Sequence, residues 1–444
     1  MFFDGTGNNA QNALKRTTSD CSEPTGSYAI SPTNIYRLFK NYTQNGTDQT
    51  KAIYIEGIGT LDHCDDSTTS SASGHDIWEG YSANAKTQRA FESLYSYLEE
   101  LAIKNYQQTL DISITLDLFG FSRGASLARN FANVALENET IFKRILQNEG
   151  HHLSNLNLGF IGLFDTVESI KLSPLNLSLA KVKAEGIFHL TALHECRENF
   201  PLTSIFTTAD QYANAHKTGA GYHKSTSKNY FELRVPGAHS DIGGGYNTSE
   251  NEVKTINLNA TYTQGGAMAD AEKIKKDNPD FKNILHNLSF EFEKKSLGYN
   301  TISRRNPVQG HLQYVYGHLM LEIARKFNVP FNAALFEEKH PIPEDLKAFR
   351  TGIKKQSEQL LTKKIITEEL EQKEVHLDEI LKKYVHISVS TRTFFGSEDT
   401  KDNSENPEPI LQKTLQSSTR FSAPTKHLIV HRPTPNWQRE IKFV

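Results

Sequence analysis

With 444 residues, 37% hydrophobic and 23% charged, the chain has room for two or three domains or one long α/β unit, and enough apolar material for a large core. Its formal net charge is −3 and its basic residues fall in scattered pairs such as Lys354-Lys355, Lys363-Lys364 and Lys382-Lys383, which argues against a nucleic-acid-binding arm. The three cysteines, Cys21, Cys64 and Cys196, have no recognisable spacing, so neither a disulfide framework nor a zinc site is expected, and no metal or other cofactor is implied.

Phe2-Phe3 opens a short apolar run that breaks at Asp4-Gly5-Thr6-Gly7-Asn8-Asn9, a tight loop after a strand, since Gly and Asn tolerate positive φ. No charged segment followed by an apolar one precedes it, so no Sec signal is expected. Residues 10–32 are polar and rich in Ser, Thr and Pro, which predicts loop. Ile35 to Tyr42 reads as a helix, Ala52 to Ile55 as a second strand, and residues 60–76 as a loop. Ala90, Phe91, Leu94, Leu98 and Leu101 recur at helical spacing and predict a helix over Ala85 to Tyr106. Ile112 to Phe121 predicts a buried strand; with Asp117 inside it, it is far too short to span a bilayer, and a soluble protein is expected. A helix over Ala125 to Leu136, a strand over Leu156 to Phe164, loop and helix over Ile170 to Glu195, and a strand over Phe231 to Val235 follow.

Strands alternating with helices predict a mostly parallel central sheet flanked by helices, with additional C-terminal helical elements. The character changes near residue 250, which divides a catalytic core over 1–250 from a C-terminal helical region over 251–444 packing on it. There, Val315 to Phe327 and Glu358 to Tyr384 read as helices, His386 to Val389 and His427 to Val430 as late strands, and 396–409 as a mobile loop. The stripe Leu360, Leu361, Ile365, Ile366 and Leu370 suits packing on the protein's own core, with a membrane or partner contact as the other reading.

The chemistry concentrates at Gly120-Phe121-Ser122-Arg123-Gly124. A strand before it and a helix after it match a nucleophile elbow, where a serine sits at the tip of a sharp turn and the glycines remove side chains that would clash. Chance gives on the order of 0.1 Gly-x-Ser-x-Gly matches in such a chain, before the strand and helix are required. A serine nucleophile needs a base and an orienting acid, in the chain order Ser, Asp or Glu, His for an α/β-hydrolase. Asp165 ends the apolar run Gly159 to Phe164, and His239 follows the strand Phe231 to Val235 on a glycine-rich loop through Gly245. His189 and His194 compete as bases, but they fall on the predicted helix. For the oxyanion, one backbone N–H is expected from Arg123 and another from Gly5 or Thr6, with Asp4 holding that loop; an ordinary turn there is the alternative.

Four segments, Phe3-Asp4-Gly5-Thr6-Gly7-Asn8, Gly120 to Ala125, Leu163-Phe164-Asp165-Thr166-Val167 and Pro236-Gly237-Ala238-His239-Ser240-Asp241-Ile242-Gly243-Gly244-Gly245-Tyr246, together resemble the first class of type VI secretion lipase effectors. Weaker echoes are Ala192 to Arg197, Val329-Pro330-Phe331 and Pro341 to Leu346. The resemblance implies an α/β-hydrolase fold and a triad at Ser122, Asp165 and His239. It also implies phospholipase A activity on glycerophospholipids at a membrane surface. Synthesis in a bacterial cytoplasm, delivery on a secretion spike into a target-cell periplasm, and a cognate immunity protein follow from it. Asp241, on the loop after His239, is expected to support its loop as Asp4 does the first. Three rivals remain. Phe2 to Thr6 resembles the Asp-x-Asp-Gly-Thr loop of haloacid-dehalogenase-like phosphatases, with Phe2 at the nucleophile's place. Asp4, His239 and Asp241 could hold a metal, and the chain could be an inert binding protein on a hydrolase fold.

Overall fold

The computed structural model describes residues 1–15, 24–43, 50–67, 70–71, 80–105, 108–170, 175–216, 221–222, 229–257, 263–266, 268–269, 272, 290–295, 298–362, 377–389, 434 and 438–444. A seven-stranded sheet forms its centre, from β1 (Phe2–Phe3), β2 (Tyr54–Ile55), β3 (Asp111–Phe121), β4 (His152–Phe164), β5 (Ala184–Ala192), β7 (Gly221–Tyr222) and β8 (Tyr230–Val235), in the order β2-β1-β3-β4-β5-β8-β7. Six strands run parallel and only the edge strand β7 is antiparallel. A two-stranded parallel pair joins β6 (Leu202–Thr203) to β12 (Ile441–Lys442). A separate antiparallel sheet holds β9 (Ser249–Asn257), β10 (Phe290–Lys295) and β11 (Gly298–Gln309) in the order β10-β11-β9.

The central strands read as continuous apolar runs because both of their faces are covered. Phe2, Phe119, Phe160, Phe188 and Phe231 face one core with the helices Asn34–Asn41, Leu312–Lys326, Glu344–Leu361 and Leu377–Tyr384. Phe3, Leu118, Ile161 and Ile187 face the other, with the helices Ala83–Lys104, Arg123–Glu137 and Glu139–Asn148. Burying each such side chain stabilises the fold by about 1.5–3 kcal/mol relative to exposure. Phe2 stacks on Phe119 at 5.0 Å, which helps hold a two-residue strand in the sheet.

Register decides where the loops emerge. Phe3 pairs with Gly120, Phe121 with Phe164, Phe164 with Leu190, and Ala192 with Val235, so the strands end level at one edge. The chain leaves β1 toward the first core and β3 toward the second, so the strand order reverses between them. That is the crevice where open α/β sheets place their ligands.

Several expectations are corrected. Ile170 to Glu195 contains β5 rather than a helix, so His189 lies on a central strand and His194 in the turn after it. The segment Ala184–Ala192 is buried along nearly its whole length, which removes the polar alternation that marks a strand. Residues 10–32 include the helix Ala10–Lys15 and a single turn at Gly26–Tyr28. The helix expected over Glu358 to Tyr384 is not continuous: one helix ends at Leu361, another runs Leu377–Tyr384, and Ile365, Ile366 and Leu370 lie outside the described residues. His386, Ile387 and Val389 are buried, and residues 386–389 join no strand among the described residues; His427 to Val430 and 396–409 lie outside the described residues. No helix of the described residues is long and apolar enough to cross a membrane.

Candidate active site

Ser122 stands between β3 and the helix Arg123–Glu137 with φ 58° and ψ −129°, a backbone region that L-residues rarely adopt. Its N–H donates to Phe164 O at 3.0 Å, and its carbonyl accepts from Val167 N at 3.3 Å, so the turn is pinned to the end of β4. The glycines follow from crowding. A Cβ on Gly120 would lie 2.5 Å from Ala125 Cα, and one on Gly124 would press into the carbonyl oxygens of Phe3 and Asp4. These are backbone atoms of central elements and cannot rotate away. Gly124→Ala should therefore cost about 3 kcal/mol. A urea midpoint equal to that of the unaltered chain would show that the elbow tolerates the methyl group.

Asp165, in the next turn along the sheet, also has positive φ, 45°, and is fully buried. Its Oδ1 accepts from Ala192 N at 2.9 Å and Arg439 Nη1 at 2.6 Å; its Oδ2 accepts from Arg439 Nη2 at 2.9 Å and lies 2.5 Å from His239 Nδ1. Burial pushes the carboxyl up, but the Arg439 charge and the His239 hydrogen bond outweigh it and hold it well below the usual carboxylate range.

His239 opens the short helix His239–Gly243 and is 4% exposed. The rings of Phe121 and Phe200 lie against it at 4.6 Å and 5.1 Å. Burial lowers its pKa, the bond and charge of Asp165 oppose this, and the net shift is downward, so the imidazole stays neutral to lower pH than an exposed one. With an anionic Asp165 at Nδ1, the ring proton sits on Nδ1 and Nε2 carries the lone pair. Ser122 Oγ and His239 Nε2 are not hydrogen-bonded to one another in this structure. Such bonds often tighten only with substrate in place.

Asp241 holds the His239 turn from beneath. Its Oδ2 accepts from Ala238 N and His386 N, each at 2.9 Å, and its Oδ1 lies 2.7 Å from His386 Nδ1. Asp4 does the same for the first loop, accepting from Gly5 N at 2.7 Å, Thr33 Oγ1 at 2.7 Å and Tyr54 Oη at 2.6 Å. Burial pushes Asp4 up to about 6 against those hydrogen bonds. The Gly5 N–H is thus engaged by Asp4, whereas the Thr6 hydroxyl is buried without a partner. The Arg123 guanidinium turns away toward Ser71 O and Ser169 O, leaving its backbone N–H at the first turn of the helix.

The competing residues are occupied elsewhere. His189 Nε2 accepts from Thr166 N at 3.0 Å and its Nδ1 faces Glu232 at 2.9 Å, a buried buttress behind the Asp165 turn. His194 Nδ1 accepts from Gly237 N and steadies the loop before His239. Asp4 is 1% exposed with both oxygens bonded, a poor nucleophile for phosphate, and Asp4, Asp241 and His239 each face different partners rather than one ion. Sequence reasoning missed Arg439 and His386, which reach the site from positions far along the chain and belong to no local motif.

A family model described as "T6SS, Phospholipase effector Tle1-like, catalytic domain" matches residues 1–144 and 136–264. Among solved structures, "Structure of the Tle1 effector bound to the VgrG spike from the Type 6 secretion system" is 23% identical, covers 100% of this chain and 92% of that one, and superposes with a TM-score of 0.64. An uncharacterized protein from Pseudomonas aeruginosa is 18% identical over 82% of this chain and 51% of that one, with a TM-score of 0.39. No curated protein matches the chain.

Proposed function

Because the chain belongs to the Tle1-like phospholipase effectors of the type VI secretion system, we propose that it is a serine esterase of the phospholipase A type, with Ser122, His239 and Asp165 as its triad. The observation that carries this is the 2.5 Å contact between His239 Nδ1 and a fully buried Asp165 carboxylate, one strand away from a serine at an elbow backbone. His239 Nε2 takes the Ser122 proton as Oγ attacks an acyl ester carbonyl of a glycerophospholipid. Asp165 holds the imidazole tautomer and stabilises the imidazolium. The Arg123 and Thr6 N–H groups, with the unpartnered Thr6 hydroxyl, supply the oxyanion hole in preference to the engaged Gly5 N–H. The imidazolium then protonates the departing lysolipid alkoxide, and water, activated by His239, hydrolyses the acyl-enzyme.

Export by the type VI apparatus follows from the family. The target-cell periplasm, a spike partner and a cognate immunity protein are part of the same proposal; the spike is suggested by the relative solved on VgrG. An inert binding protein or a phosphatase would not react with a serine-directed fluorophosphonate. Incubation with such a probe should add one phosphonyl group at Ser122, seen by peptide mass spectrometry, and defined mixed-acyl phospholipids should release a single fatty acid position. Absence of both labelling and release would overturn the proposal.

A further inference from the structure

Arg439 comes to the candidate acid from the residues just before β12. Its Nη1 and Nη2 donate to the two oxygens of Asp165 at 2.6 Å and 2.9 Å, its Nε donates to Phe200 O at 2.7 Å, and its side chain is 7% exposed. The planar fork of a guanidinium sets the direction of a carboxylate as well as its charge, which a point cation does not. With the Ala192 N–H and His239, it fills the acceptor sites of Asp165.

The tail is docked, not merely near. Leu202 N donates to Glu440 O and Ser204 N to Lys442 O, at 2.8 Å and 3.0 Å, as β12 pairs with β6. Thr203 N donates to Thr166 O at 2.9 Å, which ties β6 to the residue after Asp165. From the elbow helix, the buried Arg129 donates to Thr203 O at 3.0 Å and Ser204 O at 3.2 Å. The helix behind Ser122, the turn of Asp165 and the tail of Arg439 are therefore one hydrogen-bonded unit.

We propose that Arg439 is a positioning residue for acyl transfer: by clamping both oxygens of Asp165 it keeps that carboxylate aimed at His239 Nδ1, so that docking of β12 on β6 completes the active site. The inference rests on the triad reading above. The charged groups facing His239 are Asp165, Glu195 and Arg197, and those facing Asp165 are His239 and Arg439. Removing the Arg439 cation leaves the Asp165 charge acting undiluted on the imidazolium, so the acidic limb of the rate profile should move to higher pH.

The test uses the full chain and a soluble short-chain ester. Arg439→Ala should lower kcat about 100-fold with KM little changed, move the acidic limb of kcat upward, and recover activity when guanidinium ion is added at millimolar concentration. Arg439→Lys, which keeps a charge but loses the fork, should fall between the two and should fold if the alanine variant does not, as followed by far-UV circular dichroism. An unchanged kcat in either folded variant overturns the proposal. So does a kcat loss with an unmoved limb and no recovery by guanidinium, since that is what a merely structural arginine would give. If the unaltered chain neither turns over esters nor labels at Ser122, the triad reading itself fails, a result distinct from these.

Discussion

Ser122→Ala is expected to lower kcat for ester hydrolysis by about 10⁴-fold or more, with the fold intact. The Ser122 hydroxyl supports nothing structural: the elbow is held by the Ser122 backbone N–H and carbonyl, through Phe164 and Val167. Alanine adopts the same φ of 58° with no greater strain than serine. The thermal midpoint should thus stay within a few degrees, about 1 kcal/mol or less in stability. The residual rate would report the oxyanion hole and substrate binding alone. Measurement of fatty-acid release from a defined phospholipid, with melting followed in parallel, checks both halves. Turnover close to that of the unaltered enzyme would mean that another group makes the attack.

Asp165→Asn should be nearly as damaging to catalysis, by about 10⁴-fold in kcat, and should also weaken the fold. An amide can present its NH₂ to His239 Nδ1. The ring proton then moves to Nε2, and the nitrogen that would take the Ser122 proton in the proposed mechanism has no lone pair to accept with. The same change strands the Arg439 guanidinium, whose anionic partner is lost within a 7% exposed site. Breaking a buried pair in this way costs about 3–5 kcal/mol. The sign with pH is fixed by the downward shift of Asp165. Its folded pKa lies below the unfolded value near about 3.9, so the stability it contributes is fully present above that value and is lost as pH falls through the folded pKa. The gap in urea midpoint between the two proteins should widen as His239 takes up its proton, because the variant lacks the carboxylate that favours the imidazolium, and should narrow only in acid below about 4. A gap that instead closed between pH 8 and 6 would contradict this coupling. A kcat comparable to the unaltered enzyme would remove Asp165 from the mechanism.

In the proposed mechanism a neutral His239 accepts the serine proton, and its pKa lies below the ordinary value of about 6.5. Ester hydrolysis should therefore persist into mildly acidic conditions before protonation of the imidazole removes the base.

What could be read from the residues alone was whatever is written locally. Gly120 and Gly124 announce the elbow because the turn forces a backbone-to-backbone approach that only glycine permits. The parallel sheet, the acid at the end of β4 and the histidine after β8 follow from apolar runs that stop at polar turns. β5 escaped for the opposite reason: flanked on both sides by other strands and buried on both faces, it carries no periodicity to distinguish it from a helix. The division of labour within the first loop was likewise hidden, since only the fold shows that Asp4 engages the Gly5 N–H and leaves Thr6 available. Arg439 and His386 lie 274 and 145 residues from the carboxylates they hold. Sequence carries the chemistry of a side chain and the conformational demands of its neighbours, whereas such a pairing exists only once packing of the C-terminal segments has brought distant backbone together. Tertiary structure alone therefore decided which cation fixes the acid.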